Sequence, residues 1–329
     1  MIQRDVALLA RSSGTLNLRP LYVPYLYLSL FRPLVEGTQT LAQYLAGSDY
    51  ALTPTSDNQP FFFNFNLGLP EAVVQALILA ALLSAAIVAL GWLGRHAAVA
   101  RQRSAGRAAP SPMGTAPRSQ PRARFWPLVI YFALIGMGFM LAEVSLIQRF
   151  ILLLGQPVLA LVVVLTSLLV GAGLGSMAGA RILNGQPRRL LGVAAVIAVL
   201  LTADLALLPG VVGVLVPLDL ALRIVATIAI LLPLGFFLGI PFPSGIALAR
   251  RDGDPRDVAF LWAVNAATSV LGSTLAVATA IAAGFAIVLW LAALCYVGAG
   301  LITLLRSGLM RAATPAATPA EQSAELMPR

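Results

Sequence analysis

The stretch PVLALVVVLTSLLVGAGLGSMAGA (Pro157–Ala180) decides the fold, because it runs for 24 residues without a charged side chain. A helix needs about 20 apolar residues to cross about 30 Å of hydrocarbon. Backbone inside a bilayer must satisfy its own hydrogen bonds, and a helix does so within one segment. The stretch therefore predicts a membrane-spanning helix.

Six further blocks share this character, and none carries more than one charged residue. The seven blocks are Val73–Gly94, Phe125–Ile147, Pro157–Ala180, Leu190–Pro209, Leu220–Pro241, Val258–Gly284 and Ala286–Leu305. We predict an all-α membrane protein with about seven transmembrane helices in a bundle. A short apolar segment at 211–216 is a candidate eighth.

The composition excludes several classes of function. Only 11% of the 329 residues are charged, against about 25% in soluble domains, so a single water-soluble globule is excluded. All 22 basic residues are arginine, which excludes Schiff-base lysine chemistry and a Walker-type lysine. The chain has one cysteine, Cys295, and one histidine, His96. We therefore expect no internal disulfide, no Cys/His metal site and no cofactor.

The remaining chain predicts a soluble remnant, a linker and a tail. Within residues 1–70, Val6–Ala10 and Leu21–Tyr25 resemble short strands and Leu34–Leu45 a helix, so we expect a small α/β remnant of a larger domain. The arginine-rich, Pro/Ser/Ala-rich residues 95–124 are predicted to be a disordered linker. The predicted organisation is 1–70 remnant, 71–94 first transmembrane helix, 95–124 linker, 125–306 six-helix transmembrane bundle and 307–329 disordered tail.

The arginines also predict an orientation. Sixteen of the 22 lie in residues 95–124, 181–189, 247–257 and the C-terminal tail, which seven spans place on one side. Short cytoplasmic loops carry an excess of basic residues. We therefore expect the linker and the C-terminus in the cytoplasm of a bacterial inner-membrane protein. Residues 1–70 then lie outside, next to Glu143–Arg149.

Five polar residues inside or beside the spans are candidates for a function: Glu143, Gln148, Arg149, Asp204 and Arg223. A carboxylate within a span is costly and requires a partner or a role. For Glu143, one interpretation is a buried ion pair or hydrogen bond that fixes helix packing, with Arg223 as a candidate partner. The alternatives are a substrate or proton role and simple exposure at the membrane interface. Gln148 is expected near the face of Glu143 and Arg149 further round the helix.

Two stripes predict helix packing. Gly171, Gly175 and Gly179 recur every four residues, a pattern that lets another helix approach closely. The same segment loosely matches a dinucleotide fingerprint, but it lies within an uninterrupted apolar block, which favours packing. Asn265, Ser269 and Ser273 form a polar stripe on the sixth span, suited to interhelical hydrogen bonds or to lining a polar cavity.

Pro241 and Pro243 mark a break in the fifth span, because each removes a backbone donor. We expect a simple helix end at the interface, since broken helices at transport sites usually occur in symmetric pairs. Aromatic residues near span ends are predicted interface anchors; they are Trp126, Tyr131, Trp262 and Trp290.

Four segments together resemble a known family. They are LTPTSDNQPFFFNF (Leu52–Phe65), YFALIGMGFMLAEVSLIQRFILLLGQP (Tyr131–Pro157), GIPFPSGIAL (Gly239–Leu248) and FLWAVNAATSVLGSTLA (Phe260–Ala276). In order and spacing they resemble the carboxy-terminal membrane region of spermidine-synthase-like bacterial proteins, over residues 1–305. The Glu143–Gln148–Arg149 and Asn265 motifs are the most specific parts.

The resemblance implies a Rossmann domain that uses S-adenosylmethionine ahead of the bundle. This sequence shows no glycine-rich strand–turn–helix, and Asp57-Asn58-Gln59 stands where the family has an acidic pair followed by arginine. We therefore expect a split or truncated form without aminopropyl- or methyltransfer of its own. A cytosolic cofactor domain would also place residues 1–70 in the cytosol, against the arginine distribution.

The sequence thus predicts a multi-pass membrane module of a spermidine-synthase-like system that is not catalytic alone. The alternatives are a transporter or channel for a small cationic or amphipathic solute that uses Glu143, and a self-associating structural protein that uses the glycine stripe. Candidate partners are the lipid bilayer, a separate catalytic subunit and a second copy of the chain. Nucleic acid is not expected, because aromatic residues are not interleaved with the charges.

Overall fold

A computed structural model describes residues 37–40, 43, 56–60, 68–108, 125–183, 186, 188–252 and 255–312. The chain forms two compact units, residues 1–55 with 61–68, and residues 56–60 with 69–329. The second unit contains the helices α1 (Glu71–Ala108), α2 (Trp126–Leu154), α3 (Pro157–Leu183), α4 (Arg189–Leu215), α5 (Leu220–Leu238), α6 (Pro241–Asp252), α7 (Pro255–Ala283) and α8 (Phe285–Ala312).

Seven spans are long and apolar enough to cross a membrane, and α5 and α6 together make the fifth, Leu220–Arg250. The predicted all-α membrane bundle is therefore confirmed. The candidate segment at 211–216 belongs to α4, which continues past Pro209 to Leu215. Transmembrane helices tolerate proline because neighbouring groups satisfy the carbonyl it leaves free.

The second span of the bundle, α2, is its centre. It packs between α7 and α8, α1 covers α7, and α4 covers α8, while α3 pairs with α5. Ser84 on α1 donates to the carbonyl of Ala267 on α7 at 2.7 Å, and a side chain at Gly91 would meet Phe260. These contacts make α1 and α7 antiparallel.

Helix directions give the bundle two different ends. At one end, which we call the arginine end, α2, α4 and α7 begin and α3 and α8 finish. At the other, which we call the Asn58 end, residues 56–60 meet the α7–α8 turn. The described parts of the four arginine-rich regions lie at the arginine end. The structure therefore agrees with the alternating span directions on which the orientation prediction depends.

Two boundaries differ from the sequence prediction. Helix α1 continues through 95–108, where disorder was predicted, and α8 extends to Ala312. The α1 extension contains five Ala and four Arg, and the α8 extension contains Arg, Leu, Met and Ala, all of which are strong helix formers. Residues 109–124 and 313–329 lie outside the described part of the chain.

Little of the first unit is described. The predicted strands Val6–Ala10 and Leu21–Tyr25 lie outside the described residues. The predicted helix Leu34–Leu45 is wrong at residues 37–40, because Gly37 has φ of 69° and begins a turn. Thr40 and Gln43 then hydrogen-bond reciprocally, as in a capping box. Gln43 is helical.

Candidate functional site

An ion pair lies inside the bundle toward the Asn58 end. Arg149 Nε on α2 donates to Asp204 Oδ2 on α4 at 3.2 Å, and the two side chains are only 11% and 4% exposed. Arg149 Nη2 also donates to the backbone carbonyls of Asp204 and Leu205 at 3.3 and 3.4 Å. The guanidinium thus bonds one carboxylate oxygen and two backbone carbonyls of α4, which pairs the two buried charges.

A second arginine reaches the same helix face from α5. Arg223 Nη1 donates to the carbonyl of Leu153 at 3.1 Å, so the expected pairing of Arg223 with Glu143 is wrong. Ser145, Arg149 and Leu153 recur every four residues and therefore share one face of α2. Three buried atoms in this region have no hydrogen-bond partner within the described residues: Ser145 Oγ, Asp204 Oδ1 and Arg223 Nε. Together these groups form what we call the arginine–aspartate cluster.

Glu143 stands apart from this cluster. It is half-buried, and within the described residues it accepts no hydrogen bond and forms no ion pair. On an ideal helix it lies about 120° round from Arg149, which explains why their side chains diverge. Gln148 is exposed, so it does not share the partly buried position of Glu143.

The polar stripe of α7 bonds to α2. Asn265 Nδ2 donates to the Phe132 carbonyl at 3.0 Å and Ser269 Oγ to the Gly136 carbonyl at 3.2 Å. A side chain at Gly136 would lie 2.6 Å from Asn265 Nδ2, so glycine permits this close approach. Interhelical bonding is confirmed for Asn265 and Ser269, while Ser273 bonds within its own helix.

The glycine stripe of α3 packs against α5 of the same chain. A side chain at Gly171 would lie 2.6 Å from the Leu232 carbonyl, and one at Gly175 would overlap the Phe236 carbonyl. Gly179 faces Ile240, and a Cβ atom added at Gly179 would lie 3.3 Å from Ile240 Cγ2. The packing interpretation is confirmed, and the stripe is occupied by an internal contact rather than left free for another copy.

The break in the fifth span lies at Gly239–Ile240, and the chain resumes as helix α6 with Pro241 at its first position. The expectation that the helix simply ends there is wrong, because proline suits the first turn of a helix. Pro243 lies in the same turn. Tyr131 Oη donates to the Pro241 carbonyl at 2.7 Å, so this buried tyrosine holds the break instead of anchoring an interface.

Residues 56–60 contribute a helix cap that the sequence does not reveal. The Asn58 carbonyl accepts from Phe285 N at 3.0 Å, and its Oδ1 accepts from Ala286 N at 2.8 Å. Asn58 thereby satisfies two of the amides that the first turn of α8 leaves without helical partners. Gln59 Nε2 adds a bond of 3.5 Å to the Ile281 carbonyl. The cap joins positions 228 residues apart, beyond the reach of any local pattern.

The arrangement can hold charge and polar groups within a bilayer, and it attaches a short non-helical segment to one end of the bundle. No group of three or more His, Cys, Asp or Glu residues suited to a metal lies in the described residues. Comparison with protein-family models, curated proteins and solved structures finds no match to this chain. The chain is a multi-pass membrane protein by its seven apolar spans.

Proposed function

We propose that this chain is the membrane module of a spermidine-synthase-like system and holds a soluble catalytic partner at its Asn58 end. The observation that carries the proposal is the capping of α8 by Asn58. Residues 52–65 resemble the closing segment of the soluble domain in that family, and Asn58 ties part of this segment directly to the bundle.

The neighbouring side chains suit an attachment point. Ser56 and Asp57 are exposed, whereas Asn58 and Gln59 are partly buried against the α7–α8 turn. One side of the segment is therefore bound to the membrane helices and the other is open to a partner. The buried Arg149–Asp204 ion pair lies in the half of the bundle toward the same end.

Site-specific crosslinking tests the proposal. A photoreactive amino acid replaces Asp57 in the full chain, expressed in its own host, and a matched chain carries it at exposed Arg188 at the arginine end. We expect Asp57 to crosslink to a protein with a glycine-rich Rossmann sequence that binds radiolabelled S-adenosylmethionine. Equal crosslinking from both positions, or a partner without that sequence, would contradict the proposal.

Transport of a small cationic or amphipathic solute is a second candidate, because Glu143 offers a carboxylate without a bonding partner among the described residues. A transport path requires polar groups that continue through the membrane. Within the described chain, no hydrogen bond or ion pair links Glu143 with Asp204 or Asn265, which argues against this candidate. Uptake of radiolabelled spermidine into vesicles, unchanged between the wild type and Glu143→Gln, would remove it.

The self-associating alternative loses the feature on which it was based. Gly171 and Gly175 face α5 of the same chain, so they are not available to a second copy without separating α3 from α5.

A further inference from the structure

A cleft opens at the arginine end between the last turns of α3, the start of α4 and helix α6. Its volume is about 180 Å³, well above the roughly 10–15 Å³ that a single water molecule requires. Ser176, Ala180 and Leu183 of α3 line one wall, Leu190 of α4 the second, and Ser244 and Ala247 of α6 the third.

The break in the fifth span shapes this cleft. After Gly239 the chain continues as α6, which contributes the third wall through Pro243, Ser244, Ala247 and Leu248. Gly179 lines the cleft without a side chain, and a Cβ atom there would already lie 3.3 Å from Ile240. The absence of a side chain at Gly179 keeps the base of the cleft open.

The walls are suited to hydrocarbon. Most lining residues are apolar, and the two serine hydroxyls donate to their own helices, Ser176 to Gly173 O at 2.8 Å and Ser244 to Ile240 O at 2.6 Å. Their donor capacity is therefore already used by the backbone, and the Gln186 carboxamide is the remaining side-chain donor among the described lining residues.

The rim is cationic. Arg189 Nη1 donates to the Ile182 carbonyl at 3.0 Å, which places the guanidinium at the end of α3, beside Leu183 of the wall. A guanidinium has five N–H donors, so others remain for a ligand. Arg181 and Arg188 are exposed close by in sequence. The sequence has no acidic residue in 176–190 or in 241–251.

The first turn of α4 adds to the positive charge of the rim. Its N-cap residue, Arg188, makes no side-chain cap, and the start of a helix carries a partial positive charge. The end of α3 and the start of α4 are also the ends of two spans. They therefore lie at the depth of the lipid phosphates. An apolar cleft and a cationic rim thus meet at the membrane interface.

We propose that this cleft binds an anionic phospholipid, with an acyl chain against α3 and α6 and its phosphate on Arg189. The charge of the rim selects the anionic headgroup, since arginine binds phosphate through charge-assisted hydrogen bonds. The apolar walls select a lipid over free phosphate. The proposal does not depend on the catalytic partner suggested above.

Native mass spectrometry of the full chain in detergent tests the proposal with added phosphatidylglycerol or phosphatidylcholine. We expect phosphatidylglycerol to be retained about tenfold more strongly, because both lipids carry the phosphate but the cationic rim repels the choline cation of phosphatidylcholine. Arg189→Gln should remove this preference. Arg107→Gln is the matched control, because it loses the same charge on α1, which packs against α7. Equal retention of both lipids by the wild type would overturn the proposal.

A filled cleft provides an independent test. Ala247 is exposed within the cleft, so Ala247→Trp should block lipid retention without disturbing the core. Ala221→Trp, an exposed alanine on α5 at the Asn58 end, is the size-matched control. Both variants should elute as single species from size exclusion, and if Ala247→Trp does not, Ser176→Leu replaces it. Undiminished retention of phosphatidylglycerol by a folded, filled variant contradicts the proposed site, and competition by inorganic phosphate alone contradicts a lipid ligand.

Discussion

Arg149 on α2 and Asp204 on α4 form an ion pair 3.2 Å long in which neither side chain is more than 11% exposed. Removing one partner of a buried pair leaves an uncompensated charge, which is strongly destabilising. We predict that Asp204→Ala lowers the free energy of unfolding by about 3 kcal/mol, measured by thermal denaturation in detergent.

Two controls accompany this substitution. Thr202→Ala on the same helix should have little effect, because the Thr202 hydroxyl bonds to its own backbone. The double variant Arg149→Met with Asp204→Leu should recover most of the lost stability, since it removes both charges together. If the double variant were as unstable as Asp204→Ala, the pair would not be the source of the effect.

The α3–α5 contact predicts opposite outcomes for two neighbouring glycines. Gly175→Leu places a side chain where the Phe236 backbone lies, so we expect aggregation or a strongly lowered melting temperature. A Cβ atom at exposed Gly173 would meet nothing within 4 Å, so Gly173→Leu should change stability by less than about 0.5 kcal/mol. Size exclusion and thermal scans in detergent measure both. A stable Gly175→Leu protein of reduced oligomeric size would instead support self-association through the stripe.

The cap at α8 predicts a local effect of Asn58. Asn58→Ala removes the acceptor for Ala286 N, and a lost N-cap costs about 1 kcal/mol. Hydrogen exchange should therefore accelerate at the amide of Ala286 more than at amides in the middle of α8.

Asn58→Asp retains an acceptor oxygen and should keep that protection, and Ser56→Ala, at an exposed neighbour, should leave it unchanged. Uniformly faster exchange along α8 in Asn58→Ala would mean that the residue supports the whole bundle rather than one turn.

The sequence is sufficient to predict the spans, because every segment that crosses the hydrocarbon must be mainly apolar, whichever helix it packs against. It also identifies the residues whose burial in hydrocarbon costs free energy, since Arg149, Asp204 and Arg223 are charged residues within apolar segments. It does not reveal their pairing, because the partner of Arg149 depends on the rotation and height of α4, which hydropathy leaves free. The candidate pairing of Glu143 with Arg223 is likewise not formed, because Arg223 on α5 reaches the Leu153 carbonyl instead.

Local propensity accounts for other differences. The linker composition suggested disorder from residue 95, yet Ala and Arg continue α1 to Ala108. Pro241 signalled a break correctly, but only the fold shows that α6 follows it and that Tyr131 holds its first carbonyl. Position within the fold, and not residue type, distinguishes a proline that ends one helix from a proline that begins the next.

The arrangement of the two ends predicts the outcome of topology mapping. Cys295 is the sole cysteine of the chain, so Cys295→Ala provides a background for Ser56→Cys and Arg188→Cys, exposed positions at opposite ends of the bundle. Because 16 of the 22 arginines lie in residues 95–124, 181–189, 247–257 and the C-terminal tail, the positive-inside rule places Arg188 in the cytoplasm. The arginine distribution therefore predicts that a membrane-impermeant maleimide labels position 56 in intact cells and position 188 only after lysis, and this result would contradict a partner at the Asn58 end that takes S-adenosylmethionine from the cytosol. The reverse pattern would place residues 56–60 in the cytosol, where a partner that uses S-adenosylmethionine would find its cofactor, and would show that the arginines of this chain do not set its orientation.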